Sequence, residues 1–197
     1  MKEIIDKVLP VIFPLIYLVV FFVFIYFNKE KKEALRKLSS FLNGAVSKSI
    51  FTSAFNGEYQ GYKFSVALIP ASRNTPAYLN ISLFKTSFFK VSIYKESILS
   101  NLGKKIGVIH EVKINDENFD KEFFVFSNKP NEAMFYINNI SIKDAIRGLF
   151  NAGFKSISIN GKLVLIRKPN YTLEEDLQSQ SIINILQKLI SMARALS

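Results

Sequence analysis

The stretch FTSAFNGEYQGYKFSVALI, residues 51–69, decides the fold. In its second half Tyr62, Phe64, Val66 and Leu68 fall on one face, and Lys63, Ser65 and Ala67 on the other. A period of two is a strand period, and one apolar face means that one side of the strand meets a core. Gln60-Gly61 separates this strand from another at 51–59 and predicts a tight turn between them.

Going toward the C-terminus, the loop 70–76 is bounded by Pro70 and Pro76. After it, Leu79, Ile81 and Leu83 alternate with Asn80 and Ser82, and Phe89, Val91 and Ile93 alternate with Lys90 and Ser92. This pattern predicts a four-stranded antiparallel meander. A short helix over 96–102 stops at Gly103. Strands at 108–114 and 122–127 follow, joined by the acidic turn Asn115-Asp116-Glu117-Asn118. Two short helices are predicted at 130–138 and 141–151, the second capped by Ser141 and stopped by Gly153. A hairpin spans 154–159 and 162–167 across Asn160-Gly161. One long helix, 173–196, closes the chain, with Thr172 and Glu175 as a capping box. Its stripe of Ile182, Leu186, Leu189, Ala193 and Leu196 reads as core, with a homo-oligomer contact through the same helix as the other reading. The predicted class is α+β, mainly antiparallel sheet built from a meander plus a hairpin.

Toward the N-terminus the chemistry changes. Residues 8–27 contain no charged side chain. Twenty residues at about 1.5 Å each span about 30 Å, the thickness of the hydrocarbon core of a bilayer. That run alone outweighs the positive mean hydropathy of +0.17. The run ends in Ile25-Tyr26-Phe27, with no small-residue cleavage site, so it reads as an uncleaved transmembrane helix and not as a signal peptide. Behind it come Lys29, Lys31, Lys32, Arg36 and Lys37. A basic flank stays in the cytoplasm, which places the domain there and leaves a very short outer tail. In this segment Leu35, Leu38, Phe41 and Leu42 recur at helical spacing and Asn43-Gly44 reads as a stop, giving a basic amphipathic helix whose cations face anionic lipid or, in the other reading, a stalk that packs on the domain with its basic residues serving only topology. Three parts result: an anchor at 1–28, a juxtamembrane helix at 29–44, and a soluble α+β domain at 45–197.

The net charge of +10 comes from 26 Lys+Arg against 16 Asp+Glu. Residues 1–40 hold 7 basic and 4 acidic side chains, a net of +3 that serves topology. The remaining +7 is diffuse, and no RNA-binding signature appears in the strands, so the charge does not point to nucleic acid. With no Cys, disulfides, thiol catalysis and Cys-ligated metals are excluded. The single histidine, His110, lies near Glu111, Asp116, Glu117 and Asp120, but on a strand His110 and Glu111 point apart. A calcium loop starting at Asp116 would need Gly and Glu where Lys121 and Ser127 stand. Gly103-Lys104-Lys105-Ile106-Gly107 lacks the spacing of a phosphate-binding loop. No catalytic, cofactor or metal residue is therefore assigned.

Two stretches, Gly57-Glu58-Tyr59-Gln60-Gly61 and Phe119-Asp120-Lys121-Glu122-Phe123-Phe124-Val125 followed by a helix start at Pro130, resemble those of uncharacterised bacterial single-pass membrane-anchored proteins. The resemblance covers about residues 50–167 and implies a shared fold and topology, with no catalytic residue. Physically, Gly57 and Gly61 are turn or bulge positions, and Phe119 and Phe123 are core anchors.

The expected function is a non-catalytic binding or scaffolding module on the cytoplasmic face of a bacterial inner membrane. Its partners would be the lipid bilayer and another membrane or envelope protein. The competing reading is a membrane-tethered enzyme acting on a small or lipid-linked substrate, with His110 and the acids at 116–120 as its only candidates.

Overall fold

The structure is a computed structural model that describes residues 2–47, 53–95 and 110–196. Side chains at 2–13, 20, 24, 25, 27, 28 and 110 lie outside that description. Helix α1 (Lys2–Arg36) passes through a 3-10 turn at Lys37–Ser40 into strand β1 (Asn43–Val46). Strands β2 (Ser53–Tyr59), β3 (Tyr62–Ile69), β4 (Tyr78–Phe84), β5 (Lys90–Lys95) and β6 (His110–Glu111) follow. Then come α2 (Glu117–Glu122), β7 (Phe123–Ser127), α3 (Pro130–Ile137) and α4 (Ile140–Asn151). The hairpin β8 (Ser156–Asn160) and β9 (Leu163–Pro169) precedes α5 (Leu173–Asp176) and α6 (Ser179–Arg194).

Among the described residues the strands form one nine-stranded sheet in the order β1-β2-β3-β4-β9-β8-β5-β7-β6. Every neighbouring pair is antiparallel. Phe64, Val66 and Leu68 are buried while Ser65 and Ala67 are half-buried, as the period of two requires. The core face also takes Ile81, Ile93, Val125, Ile157 and Ile166 and is closed by the buried sides of α4 and α6. Gln60 and Gly61 carry φ of 51° and 79°, the paired positive φ of the tightest hairpin turn. The α+β class with its antiparallel sheet is therefore present.

Several local readings change. The meander has four strands, but they are β1 to β4; the expected fourth strand, β5, is separated from β4 because the β8–β9 hairpin inserts between them. The chain crosses the tip of that hairpin on the way: the N–H groups of Lys85 and Ser87 donate to the carbonyls of Lys162 and Gly161 at 3.1 and 3.2 Å. The acidic turn at 115–118 is instead the start of α2. Asp116 accepts from the Phe119 N–H at 3.1 Å and caps the helix. The cap of α4 is Asn139, not Ser141, and it accepts the Ser141 N–H at 2.9 Å. The long C-terminal helix is two helices. Asp176 turns back to accept the Thr172 N–H at 3.0 Å and the Lys168 ammonium at 2.6 Å, and Leu177 tucks into the core at the break. In this arrangement Asp176 takes the backbone N–H that a capping box would give to Glu175, which instead accepts the Thr172 hydroxyl.

Asn43-Gly44 does not end a helix but lies in β1, and Leu35, Leu38 and Leu42 are core residues of the domain. Among the described residues no helix is long and apolar enough to cross a membrane. The span expected over 8–27 falls partly on side chains outside the description. The helix at 96–102 and the basic turn at 103–107 lie wholly outside the described residues. Of the strand at 108–114, His110–Glu111 pairs with β7, and the Val112 N–H donates to the Val125 carbonyl at 2.8 Å.

Candidate functional site

The crossing segment 85–89 builds one wall of an open cleft of about 700 Å³. Ser87 is buried there. Its hydroxyl donates to the Phe89 carbonyl at 2.9 Å and accepts the Phe89 N–H at 3.3 Å. This turn sends Phe89 into the core and leaves Phe88 66% exposed. The opposite wall is α3. Its inner positions Ala133, Tyr136 and Ile137 are buried at helical spacing, so Phe135 is pushed outward and stands 86% exposed. Tyr136 forms the floor, with its ring 5.5 Å from that of Phe89. Asn138 and Asn139, in the turn between α3 and α4, and Ala195 and Leu196, after α6, complete the lining. Ile140, beside Asn139, is 76% exposed. The volume lies in the range of ligand and partner-anchor pockets, and the surrounding aromatic patch is the kind that marks interaction sites.

The acids expected to carry chemistry have structural duties, and the His110 side chain lies outside the described residues. Asp116 pairs with Lys143 at 2.7 Å as well as capping α2. The Lys143 hydrogen bond, then the Phe119 N–H, hold its carboxyl below the ordinary carboxylate value. Asp120 accepts the Ile114 N–H at 2.9 Å, and Glu117 pairs with Lys121 at 2.6 Å. Among the described residues no group of three or more His, Asp or Glu is arranged to hold a metal. Phe119 and Phe123 are buried, with ring centroids 4.8 Å apart.

The basic flank lies on the last turns of α1 and at the start of the 3-10 turn. Lys29 lies 4.0 Å from Glu33. Lys37 joins Glu30, Glu33 and Glu174 along a groove between α1 and α5. Lys32 and Arg36 line a different groove of about 440 Å³ beside β1. Lys31 is half-buried. The cleft could have been found from the sequence. Alternation through Val91 and Ile93 sends Phe89 inward and so Phe88 outward, and the stripe of Ala133, Tyr136 and Ile137 leaves Phe135 outside.

No family model matches the chain, and no curated protein does. One solved structure shares this fold. It is the crystal structure of the mycobacterial trehalose monomycolate transport factor A, TtfA, with a TM-score of 0.57. The likeness covers 86% of this chain and 96% of that one at 10% identity, so it speaks for the arrangement of the sheet and its helices.

Proposed function

We propose that this chain is a membrane-anchored binding module that sits on the cytoplasmic face and receives another membrane or envelope protein in the Phe88–Phe135 cleft. The carrying observation is the pair of exposed rings, Phe88 and Phe135, on one cleft whose polar lining residues are three asparagines, Tyr136 and one carboxylate, Glu132. An exposed aromatic pair costs solubility, and covering it with a partner removes that cost.

The anchor reading rests on the uncharged run at 8–27 and on the exposed Leu15, Tyr17, Leu18, Phe21, Phe22 and Tyr26 along α1. Hydrocarbon and its interface are the surroundings that suit those side chains. The basic flank supports the cytoplasmic placement. Helix α6 starts beside α1, where Ser179 and Gln180 line the α1–α5 groove, and ends at the cleft. Its 16 residues at about 1.5 Å each hold the two sites about 24 Å apart, which suits a cleft reached from the cytoplasm. The neighbour of the same fold is a mycobacterial trehalose monomycolate transport factor, and a membrane setting for this chain agrees with that.

Two measurements on the full chain test the proposal. Alkaline extraction of membranes should leave the protein in the pellet, and a C-terminal reporter should be active only in the cytoplasm. Crosslinked pull-down should then recover a partner that Phe135→Asp loses. Release by alkali, or a partner retained by Phe135→Asp, would sink the reading.

A further inference from the structure

The sheet ends at β1, which among the described residues pairs only with β2. The Ser47 N–H donates to the Ala54 carbonyl at 2.7 Å, one step beyond the Val46–Phe55 pair. Bonded and non-bonded pairs alternate along an antiparallel ladder. Asn43 and Ala45 therefore turn their backbone groups toward β2, while Gly44 and Val46 turn theirs to the open side. Along that open side runs the groove lined by Gly44, Ala45, Val46 and Ser47 on one wall and by Lys32, Arg36 and Ser39 on the other. Lys32 and Arg36 are four apart on α1, so they fall on one helix face. Among the described residues that line this groove there is no carboxylate.

We infer that β1 and the Lys32–Arg36 face form a strand-addition site for an extended acidic segment of a partner protein. An incoming strand would take up the outward N–H and C=O groups of Gly44 and Val46, and the unpaired edge supplies main-chain affinity. Its carboxylates would meet Arg36, whose charge, on the same helix face as Lys32, selects acidic sequences and rejects a second copy of this basic edge. The site is distinct from the aromatic cleft and does not depend on what occupies it.

The test uses the full chain in detergent and a fluorescein-labelled peptide of alternating Glu and Val, read by anisotropy. Two N-methylated twins, one for each alternate set of residues, separate backbone pairing from charge. The parent should bind, one twin should lose about tenfold or more while the other binds like the parent, and Arg36→Gln should weaken the parent. A Lys-Val peptide should not bind. Equal binding of both twins would overturn the inference, because strand addition must sense one edge. So would no binding of the parent at ~1 mM, the weak limit for a useful contact. An Arg36→Gln chain that loses only its binding to phosphatidylglycerol vesicles would assign the groove to lipid instead.

Discussion

Tyr136 on α3 donates its phenolic proton to the carbonyl oxygen of Met192 on α6 at 2.9 Å. The phenol is buried and its proton is held well beyond the ordinary tyrosine range by desolvation. This bond ties the floor of the cleft to the last turns of the helix that spans the domain. Removing the hydroxyl leaves a carbonyl with one fewer donor in an apolar setting. Tyr136→Phe should therefore cost about 1–2 kcal/mol, and Tyr136→Ala about 3–5 kcal/mol, because the ring against Phe89 goes too. Chemical denaturation of the full chain in detergent checks both values, and an unchanged midpoint for Tyr136→Phe would show that the bond does not form.

Asp116 and Lys143 give a prediction in pH. The Asp116 carboxyl is held below its ordinary value, first by the Lys143 hydrogen bond and next by the Phe119 N–H. A depressed carboxylate adds stability above its unfolded pKa and loses it as the pH falls through the folded one. Asp116→Asn keeps the capping oxygen and loses the charge. The stability gap between wild type and Asp116→Asn should be constant at neutral pH and close below about pH 4. A gap that widened on acidification would contradict the ion pair.

Gly44 and Gly57 face each other across β1 and β2. A Cβ on Gly57 would strike the Asn43 carbonyl oxygen and come within 2.9 Å of the Phe64 ring. Backbone cannot yield there, so Gly57→Ala should cost about 1–3 kcal/mol, as overpacking does. At Gly61, in the neighbouring turn, a Cβ would meet nothing within 4 Å, and the only strain is its φ of 79°. Asn tolerates that region, so Gly61→Asn should cost about 1 kcal/mol or less. Thermal unfolding of the two variants should rank them in this order, and the reverse order would mean β1 does not pack on β2 as described.

Local chemistry was readable from the sequence wherever neighbours in the chain decide it. Gln60-Gly61, the inward face of β3, the Pro130 helix start and the Gly153 stop are all of this kind. The placement of β5 was not, because its apolar alternation fits any antiparallel neighbour. The pairing of β4 with β9 and of β5 with β8, and the bonds from the Lys85 and Ser87 N–H groups to the hairpin tip, show that the chain steps over β8 and β9. Helix α2 was hidden because Asn115-Asp116-Glu117-Asn118 has the composition of a turn, and a capping Asp looks the same in either role. The helix break at Leu177 carries no Gly or Pro signal; Asp176 makes it by bonding to Lys168 and Thr172. The exposed rings of the cleft follow from alternation and helical spacing, but the wall they share is tertiary.

On the proposal above, the Phe88–Phe135 cleft receives a partner while α1 stays in the membrane. The most direct measurement places a photo-crosslinking amino acid at position 135 in the full chain and irradiates intact cells. The same probe at Ile69, exposed and paired with Tyr78 at the end of β4 away from segment 85–89, serves as the comparison. One discrete crosslinked product is expected in the membrane fraction from position 135 and none from position 69. No product from 135, or the same products from both, would contradict it.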